Sequence, residues 1–164
     1  MQVRRATMGE LSHILAIYER ARAFMRETGN PTQWGDGYPP KERVVSDIQE
    51  GLLFVVEDDM GLQGVFALYP DGDPAYDALN APWCNDLPYA ALHRVASGGE
   101  RRGVLRACVE YAHSVCPNLK IDTHKENLVM QAALAKLGFR TCGVFDIPDV
   151  GERILFQRFE KESV

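Results

Sequence analysis

Two hydrophobic periodicities alternate along the 164-residue chain, and this alternation constrains the fold more than any other feature of the sequence. Apolar residues three or four positions apart predict helices, whereas short continuous or alternating apolar runs predict strands. The resulting order of elements is β-α-α-β-β-β-α-β-α-β-β. Helices interleaved with strands in this way predict one α/β domain, residues 1–164, built on a mixed sheet.

Local signals mark where the predicted elements begin and end. Thr7 and Glu10 form a capping-box pattern before the first helix, and the Gly29-Asn30-Pro31 triplet follows that helix. A polar, proline-containing segment, residues 71–87, predicts a long loop before the fourth strand. The predicted strands cover residues 2–6, 52–57, 63–69, 89–96, 119–124, 140–147 and 153–159, and the predicted helices cover 8–27, 41–50, 104–115 and 126–137.

Composition and charge exclude several classes of protein. Hydrophobic residues make up 46% of the chain and charged residues 25%, as in globular domains. The net charge of −5 disfavours a sequence-independent nucleic-acid binder, which needs a basic face, but permits a cationic substrate such as an amine. No apolar run approaches the roughly 20 residues of a membrane-spanning helix, and the N-terminus lacks a signal peptide's apolar stretch. We therefore expect a cytoplasmic protein that binds neither nucleic acid nor membrane.

The cysteines carry little functional signal. They form no CxxC pair and lack the spacing of a zinc site, so no metal is expected. Because disulfides are rare in a reducing compartment, we expect all of them to be reduced and structural. The cysteines in question are Cys84, Cys108, Cys116 and Cys142.

The segment from Val95 to Arg106 carries the clearest functional signal. A predicted strand ends there, a turn rich in glycine and arginine follows, and a helix begins. Free backbone N–H groups and the positive end of the helix dipole then favour an anion, and Arg101 and Arg102 add positive charge. The plainer interpretation is a solvated charged loop. The pattern is neither GxxxxGKS nor GxGxxG, so it does not support a nucleoside-triphosphate or dinucleotide site.

Three segments together resemble one family. Val95 to Leu105 fits a pyrophosphate-binding turn, with Gly103 at its first glycine, and DTHKEN at 122–127 precedes the helix that ends in the LGF triplet at 137–139. GNPTQW at 29–34 resembles a loop of a bacterial subgroup. With these motifs and this element order, nearly the whole chain resembles the GNAT-superfamily N-acetyltransferases.

This resemblance implies a fold, a reaction and a cofactor site. The fold is a mostly antiparallel mixed sheet that splays between the fourth and fifth strands and is flanked by about four helices. The reaction is acetyl transfer from acetyl-CoA to a primary amine, on a small molecule or a peptide. The residues implied to hold acetyl-CoA are Val95, Ala96, Arg101, Arg102, Gly103, Val104, Leu105, Arg106 and Asn127.

The chain departs from the family pattern at three positions. Glu100 replaces a Gln or Arg, and Leu105 replaces the small residue that lets pyrophosphate approach the backbone. The helical spacing of Leu105 with Cys108 predicts that its side chain points to the core. Leu134 stands where many members carry a proton-donating Tyr. These departures leave a second function open, a non-catalytic acetyl-CoA-binding or interaction module on the same fold.

The candidate bases are His93, His124 and Glu57. A histidine titrates near neutrality and can accept a proton from an amine, whereas a solvated carboxylate at a strand end is the plainer role of Glu57. His124 is favoured over His93, because strand ends at the splay face the cleft; a backbone hydrogen bond is the plainer role for either. By strand alternation, His93 shares a face with Ala91 and Val95. A metal hydrolase that uses His93, Asp122 and His124 is a further alternative, but no HxxxH-like spacing supports it.

Residues of the irregular loops are candidates for binding the acceptor, because loop aromatics often line clefts. Local packing is the plainer interpretation of these aromatic residues. The identity of the amine and the choice between monomer and homodimer stay open at this point. The acceptor-side candidates are Trp34, Tyr38, Tyr76 and Trp83 of the loops, together with Glu57 at the end of a predicted strand.

Overall fold

A computed structural model of the chain describes residues 1–160, so the last four residues of the predicted 1–164 domain lie outside the described part. All seven strands form one sheet in the order β1-β2-β3-β4-β5-β7-β6. The strands are β1 (Gln2–Arg5), β2 (Leu53–Asp58), β3 (Gly61–Tyr69), β4 (Ala90–Ser97), β5 (Leu119–Thr123), β6 (Arg140–Ile147) and β7 (Gly151–Arg158). The helices are α1 (Leu11–Glu27), α2 (Lys41–Gln49), α3 (Pro74–Asp77), α4 (Val104–Val115) and α5 (Leu128–Lys136), and a one-turn 3-10 helix, Met8–Glu10, precedes α1.

Alternating strand residues divide the core into two layers. Leu53 and Val55 of β2 pack with Ile14 and other residues of α1 and α2 on one face of the sheet. Phe54 of β2 packs with residues of α4 on the other face, where Leu134 of α5 is also fully buried. Successive side chains of β2 point to opposite faces of the sheet, and its continuous apolar run is typical of a strand buried on both faces. The α/β fold predicted from the sequence is confirmed.

The sheet opens between β4 and β5, its only parallel pair within residues 1–160. Ala90 pairs with Leu119 and Ala91 pairs with Lys120, and no further pairs join the two strands. β4 continues to pair with β3 up to Ser97, and β5 continues to pair with β7 up to Thr123. The carboxyl ends of β4 and β5 therefore diverge, which confirms the predicted splay.

A bulge in β4 lies next to this opening. Val65 of β3 pairs with Ala96, but Ala67 pairs with His93, so the β3 ladder skips two residues of β4. Arg94 in the bulge has a φ of 49°, a left-handed conformation that a non-glycine residue adopts at a cost of about 1–3 kcal/mol. The Tyr18 hydroxyl donates a hydrogen bond to the Arg94 carbonyl at 2.9 Å.

The bulge changes which side chains share a face. His93 stays on the face of Ala91, where its ring packs against Tyr76. Val95 packs against the core beside α4. The prediction that His93 and Val95 share a face is therefore wrong, because strand alternation does not continue through a bulge.

The loop predicted over residues 71–87 contains a helix that the sequence analysis missed. Asp73 caps α3 by accepting a hydrogen bond from the Ala75 N–H at 2.8 Å, and Pro74 occupies the first helical position. Proline suits that position because its missing N–H would have no intrahelical partner. The four-residue helix is too short to show a helical period.

The expectation that all the cysteines are reduced is wrong for one pair. Cys84 and Cys142 form a disulfide, with Cα atoms 5.4 Å apart, whereas Cys108 and Cys116 are free. The loop runs beside β6 at this point, and the Cys84 N–H donates a hydrogen bond to the buried Gln157 side chain at 2.9 Å. None of the helices in the described chain combines the length and apolar character needed to cross a bilayer.

Candidate functional site

Three residues from different elements meet at the opening between β4 and β5. His93 and Asp122 each lie three residues beyond the first paired position of their strands, so they lie at the same level on opposite sides of the gap. Tyr76 of α3 joins the two sides. Its ring centroid lies 5.1 Å from that of His93, and its hydroxyl donates a hydrogen bond to Asp122 Oδ2 at 2.5 Å.

His93 contacts a carboxylate that the sequence analysis missed. Its Nε2 lies 2.8 Å from Asp73 Oδ2, and the two side chains are 16% and 9% exposed. Burial alone would raise the pKa of Asp73, but the contact and charge of His93, with smaller contributions from the Ala75 N–H and Arg94, together lower it below its usual value. Asp73 is therefore an ionised carboxylate against the imidazole ring.

Asp122 forms the second polar pair at the opening. Besides accepting from Tyr76, it lies 3.4 Å from the Arg153 guanidinium of β7, and both side chains are largely buried. Burial and the Asp122 carboxylate raise the pKa of Tyr76 well above its usual value. The Tyr76 hydroxyl therefore remains protonated and acts as a hydrogen-bond donor.

His124 has a different environment, one residue beyond the end of β5. Its Nδ1 accepts a hydrogen bond from the Glu126 N–H at 3.1 Å. Burial lowers the pKa of His124, and the positive charge of Arg153 lowers it further. His124 therefore has a structural hydrogen bond to the backbone, the plainer of the two roles considered for it. His93 instead contacts the carboxylate of Asp73.

The predicted anion-binding turn lies at the end of β4. Gly103 has a φ of 89° and begins α4, and an added Cβ there would meet no atom within 4 Å. Leu105 packs against the core, as its spacing predicts. Arg101 contacts Asp58 at 3.1 Å, whereas Arg102 is exposed and has no ion pair within residues 1–160. The N-terminal end of α4 is therefore sterically open at Gly103. Beside it lies the guanidinium of Arg102, which forms no ion pair among the described residues.

The remaining cofactor candidates take up different positions. Ala96 packs in the core layer that contains α1, and Val104, the first residue of α4, packs in the core layer on the other face of the sheet. Arg106 lies 3.9 Å from Glu110, one turn further along α4. Glu100, at the departure from the family turn, lies 3.3 Å from Arg20 of α1.

Asn127 connects two of the motifs found in the sequence. Its Oδ1 caps α5 by accepting from the Met130 N–H at 3.1 Å, and its Nδ2 donates to Gln33 Oε1 at 3.0 Å. Gln33 Oε1 also accepts from Asn30 Nδ2 at 2.8 Å. The GNPTQW loop therefore holds the corner where β5 passes into α5, and Gln33 is a residue of this region that the sequence analysis missed.

The acceptor-side candidates form two aromatic groups. Trp34 packs against Tyr38, with ring centroids 6.2 Å apart, and Arg94 donates to the Tyr38 hydroxyl at 3.4 Å. Trp83 packs against Tyr76 at 4.9 Å, beside the opening. These two groups approach the opening from the α1–α2 loop and from the β3–β4 connection.

Glu57 does not join these groups. It lies on β2, which β3 separates from β4, and its carboxylate contacts the Arg4 guanidinium at 2.8 Å. Within residues 1–160, no three His, Cys, Asp or Glu side chains come close enough together to hold a metal ion. His93, Asp122 and His124 consequently do not form the ligand set that a metal hydrolase would need.

Comparison with known proteins gives matches among solved structures alone. No protein-family model and no curated protein matches the chain. An acetyltransferase of the GNAT family from Streptococcus agalactiae is 31% identical, with 98% of this chain and 96% of that chain covered and a TM-score of 0.84. A putative acetyltransferase from Staphylococcus aureus is 23% identical, with coverages of 98% and 100% and a TM-score of 0.70. A GNAT-family acetyltransferase from Listeria monocytogenes is 19% identical, with coverages of 96% and 93% and a TM-score of 0.72.

Proposed function

The chain belongs to the GNAT family of acetyltransferases, and we propose that it transfers an acetyl group from acetyl-CoA to a primary amine. The observation that carries this proposal is the opening between β4 and β5, with the start of α4 at its edge. Acetyl-CoA supplies an activated acetyl group as a thioester. The amine belongs to a small molecule or a peptide.

The chemistry of the turn before α4 fits the pyrophosphate of acetyl-CoA. The first N–H groups of α4 have no intrahelical acceptor and lie at the positive end of the helix dipole. Gly103 has no side chain that would cover the backbone N–H groups at this turn. Arg102 has no carboxylate partner among the described residues. In the proposal, these groups bind the diphosphate, while Val95 and Ala96 at the β4 bulge lie beside the acetyl end.

Asn127 has a supporting role in this proposal. Both ends of its side-chain amide already have partners, Met130 and Gln33. In the proposal, Asn127 fixes the corner where β5 passes into α5. Its contact with acetyl-CoA, which the family resemblance implies, stays a prediction.

We assign the proton-accepting role to His93 rather than to His124, which the sequence favoured. A primary amine must lose a proton when it becomes an amide, and a positioned imidazole is suited to accept it. The Asp73 carboxylate beside His93 stabilises the imidazolium that results. The nearest carboxylate to His124 is that of Glu126, at 3.8 Å, and burial and the charge of Arg153 lower the pKa of this histidine below its usual value.

Binding of acetyl-CoA tests the turn directly. Arg102→Ala is expected to weaken binding by about tenfold at low salt, because one exposed charge-assisted hydrogen bond to phosphate is lost. The difference from wild type should shrink as salt is added, since the contact is exposed. Titration calorimetry measures both quantities. Arg101→Ala should have the smaller effect, because Asp58 already holds that guanidinium.

Lys41→Ala serves as the matched control for this experiment. It removes the same charge from an exposed position at the start of α2, away from α4. Equal affinities for wild type and Arg102→Ala at low salt would exclude this residue from the acetyl-CoA site.

The alternative, a non-catalytic acetyl-CoA-binding module, rests on one observation. Leu134 is fully buried and cannot donate a proton, so the tyrosine that many family members place there has no counterpart on α5. Acetyl-CoA binding without transfer to any primary amine would favour this alternative. Transfer to one amine would exclude it.

A further inference from the structure

The two carboxylate oxygens of Asp73 have different partners. Oδ1 accepts from the Ala75 N–H at 2.8 Å and caps α3, whereas Oδ2 lies 2.8 Å from His93 Nε2. The Tyr89 hydroxyl contacts the Asp73 backbone N–H and carbonyl at 3.0 and 3.1 Å. The carboxylate is thus fixed both by its own helix and by a buried tyrosine.

We propose that Asp73 is a positioning residue that keeps the proton of neutral His93 on Nε2 and leaves Nδ1 free to accept a proton. An ionised carboxylate can only accept hydrogen bonds, so the nitrogen that faces it must carry hydrogen. Nε2 is buried, and the Asp73 carboxylate at 2.8 Å is the one acceptor that faces it within residues 1–160. The proposal rests on the proposed acetyl transfer and names the atom that receives the amine proton.

The other groups around His93 do not compete with Asp73 for this role. Tyr69 of β3 and Tyr76 of α3 pack on the ring, with centroids 4.9 and 5.1 Å away. Asp122 of β5 is already paired with Tyr76 and Arg153. The adjacent Arg94 is paired with Asp47. Asp73 is therefore the carboxylate in direct contact with the imidazole.

The experiment follows the ring nitrogens of His93 by nitrogen-15 NMR in the full chain without acetyl-CoA, with His93→Gln used to assign the signals. In the wild type we expect the tautomer with hydrogen on Nε2 to predominate at high pH. In Asp73→Asn, the Asn oxygen can still cap α3, and its N–H group then faces His93. We expect hydrogen to move to Nδ1, because the Asn N–H group can only donate and therefore needs an unprotonated Nε2.

Asp77→Asn is the matched control. It removes the same charge from the same short helix, at a carboxylate that accepts from Tyr89 at 2.8 Å. The tautomer of His93 should not change in this variant. Predominance of Nδ1–H in the wild type, or identical His93 signals in wild type and Asp73→Asn, would overturn the proposal. Because no acetyl-CoA is present, this failure is distinguishable from a failure of the proposed acetyl transfer.

Discussion

His93→Asn is expected to lower kcat for acetyl transfer by roughly 10²–10⁴-fold and to leave the affinity for acetyl-CoA unchanged. Asparagine keeps a polar side chain on β4 but cannot accept a proton in the working pH range. Steady-state kinetics against pH, with calorimetry for acetyl-CoA, measure the two quantities separately.

His124→Asn is the matched control for that variant. It removes an imidazole with a backbone partner, and its kcat should stay within about tenfold of wild type. A large loss in His124→Asn with little change in His93→Asn would return the role of base to the histidine that the sequence favoured. Wild-type rates in both variants would remove histidine base catalysis, and the rate should then follow the amine's own pKa.

Asp47→Ala is expected to lower the free energy of unfolding by about 3–5 kcal/mol. Asp47 contacts the Arg94 guanidinium at 2.7 and 3.0 Å, and the two side chains are 1% and 7% exposed. Removing the carboxylate leaves a buried positive charge without its counter-ion. The pair also fixes the side chain of Arg94 in the strained β4 bulge. Its loss should therefore make the adjacent opening between β4 and β5 less rigid. Urea denaturation measures the change.

An exposed ion pair provides the control for this prediction. Asp36 lies 3.6 Å from Arg26, and its side chain is 97% exposed. Asp36→Ala should cost no more than about 1 kcal/mol, because exposed pairs are weak. Similar unfolding free energies for the two variants would show that the Asp47–Arg94 pair is not important for stability.

Local sequence patterns predicted most of the fold, for a physical reason that individual elements illustrate. The continuous apolar run of β2 and the helical spacing of α4 reflect burial against neighbouring layers, so the core can be predicted from the sequence. Thr7 and Glu10 form their capping box as predicted, but it caps the one-turn 3-10 helix before α1. The α3 helix, with four residues, has no period to detect.

The partners within the site could not be predicted, because they are distant in sequence. Gln33 and Asn127 are 94 residues apart, and Cys84 and Cys142 are 58 apart. No local pattern encodes such pairings, which depend on how the loops cross the sheet. Asp73 followed by Pro74 is a readable start for a helix, but nothing in that dipeptide indicates that the carboxylate reaches His93.

The bulge in β4 explains why the sequence could not predict the orientation of every side chain on that strand. The residue types of β4 give no sign that two of its residues leave the β3 ladder. Side chains after the bulge therefore change face, and Val95 leaves the face of His93. The sequence identified the correct strand but not the orientation of its last residues.

The most direct test of the central claim is to measure acetyl transfer itself. Wild-type protein is incubated with acetyl-CoA and a panel of primary amines that includes amino acids, polyamines, aminoglycosides and peptides with free N-termini. Release of the CoA thiol is followed together with the mass of each amine. We predict thiol release that depends on one class of amine, with a product heavier by one acetyl group. Tight acetyl-CoA binding without an acetylated product from any of these amines would contradict the account.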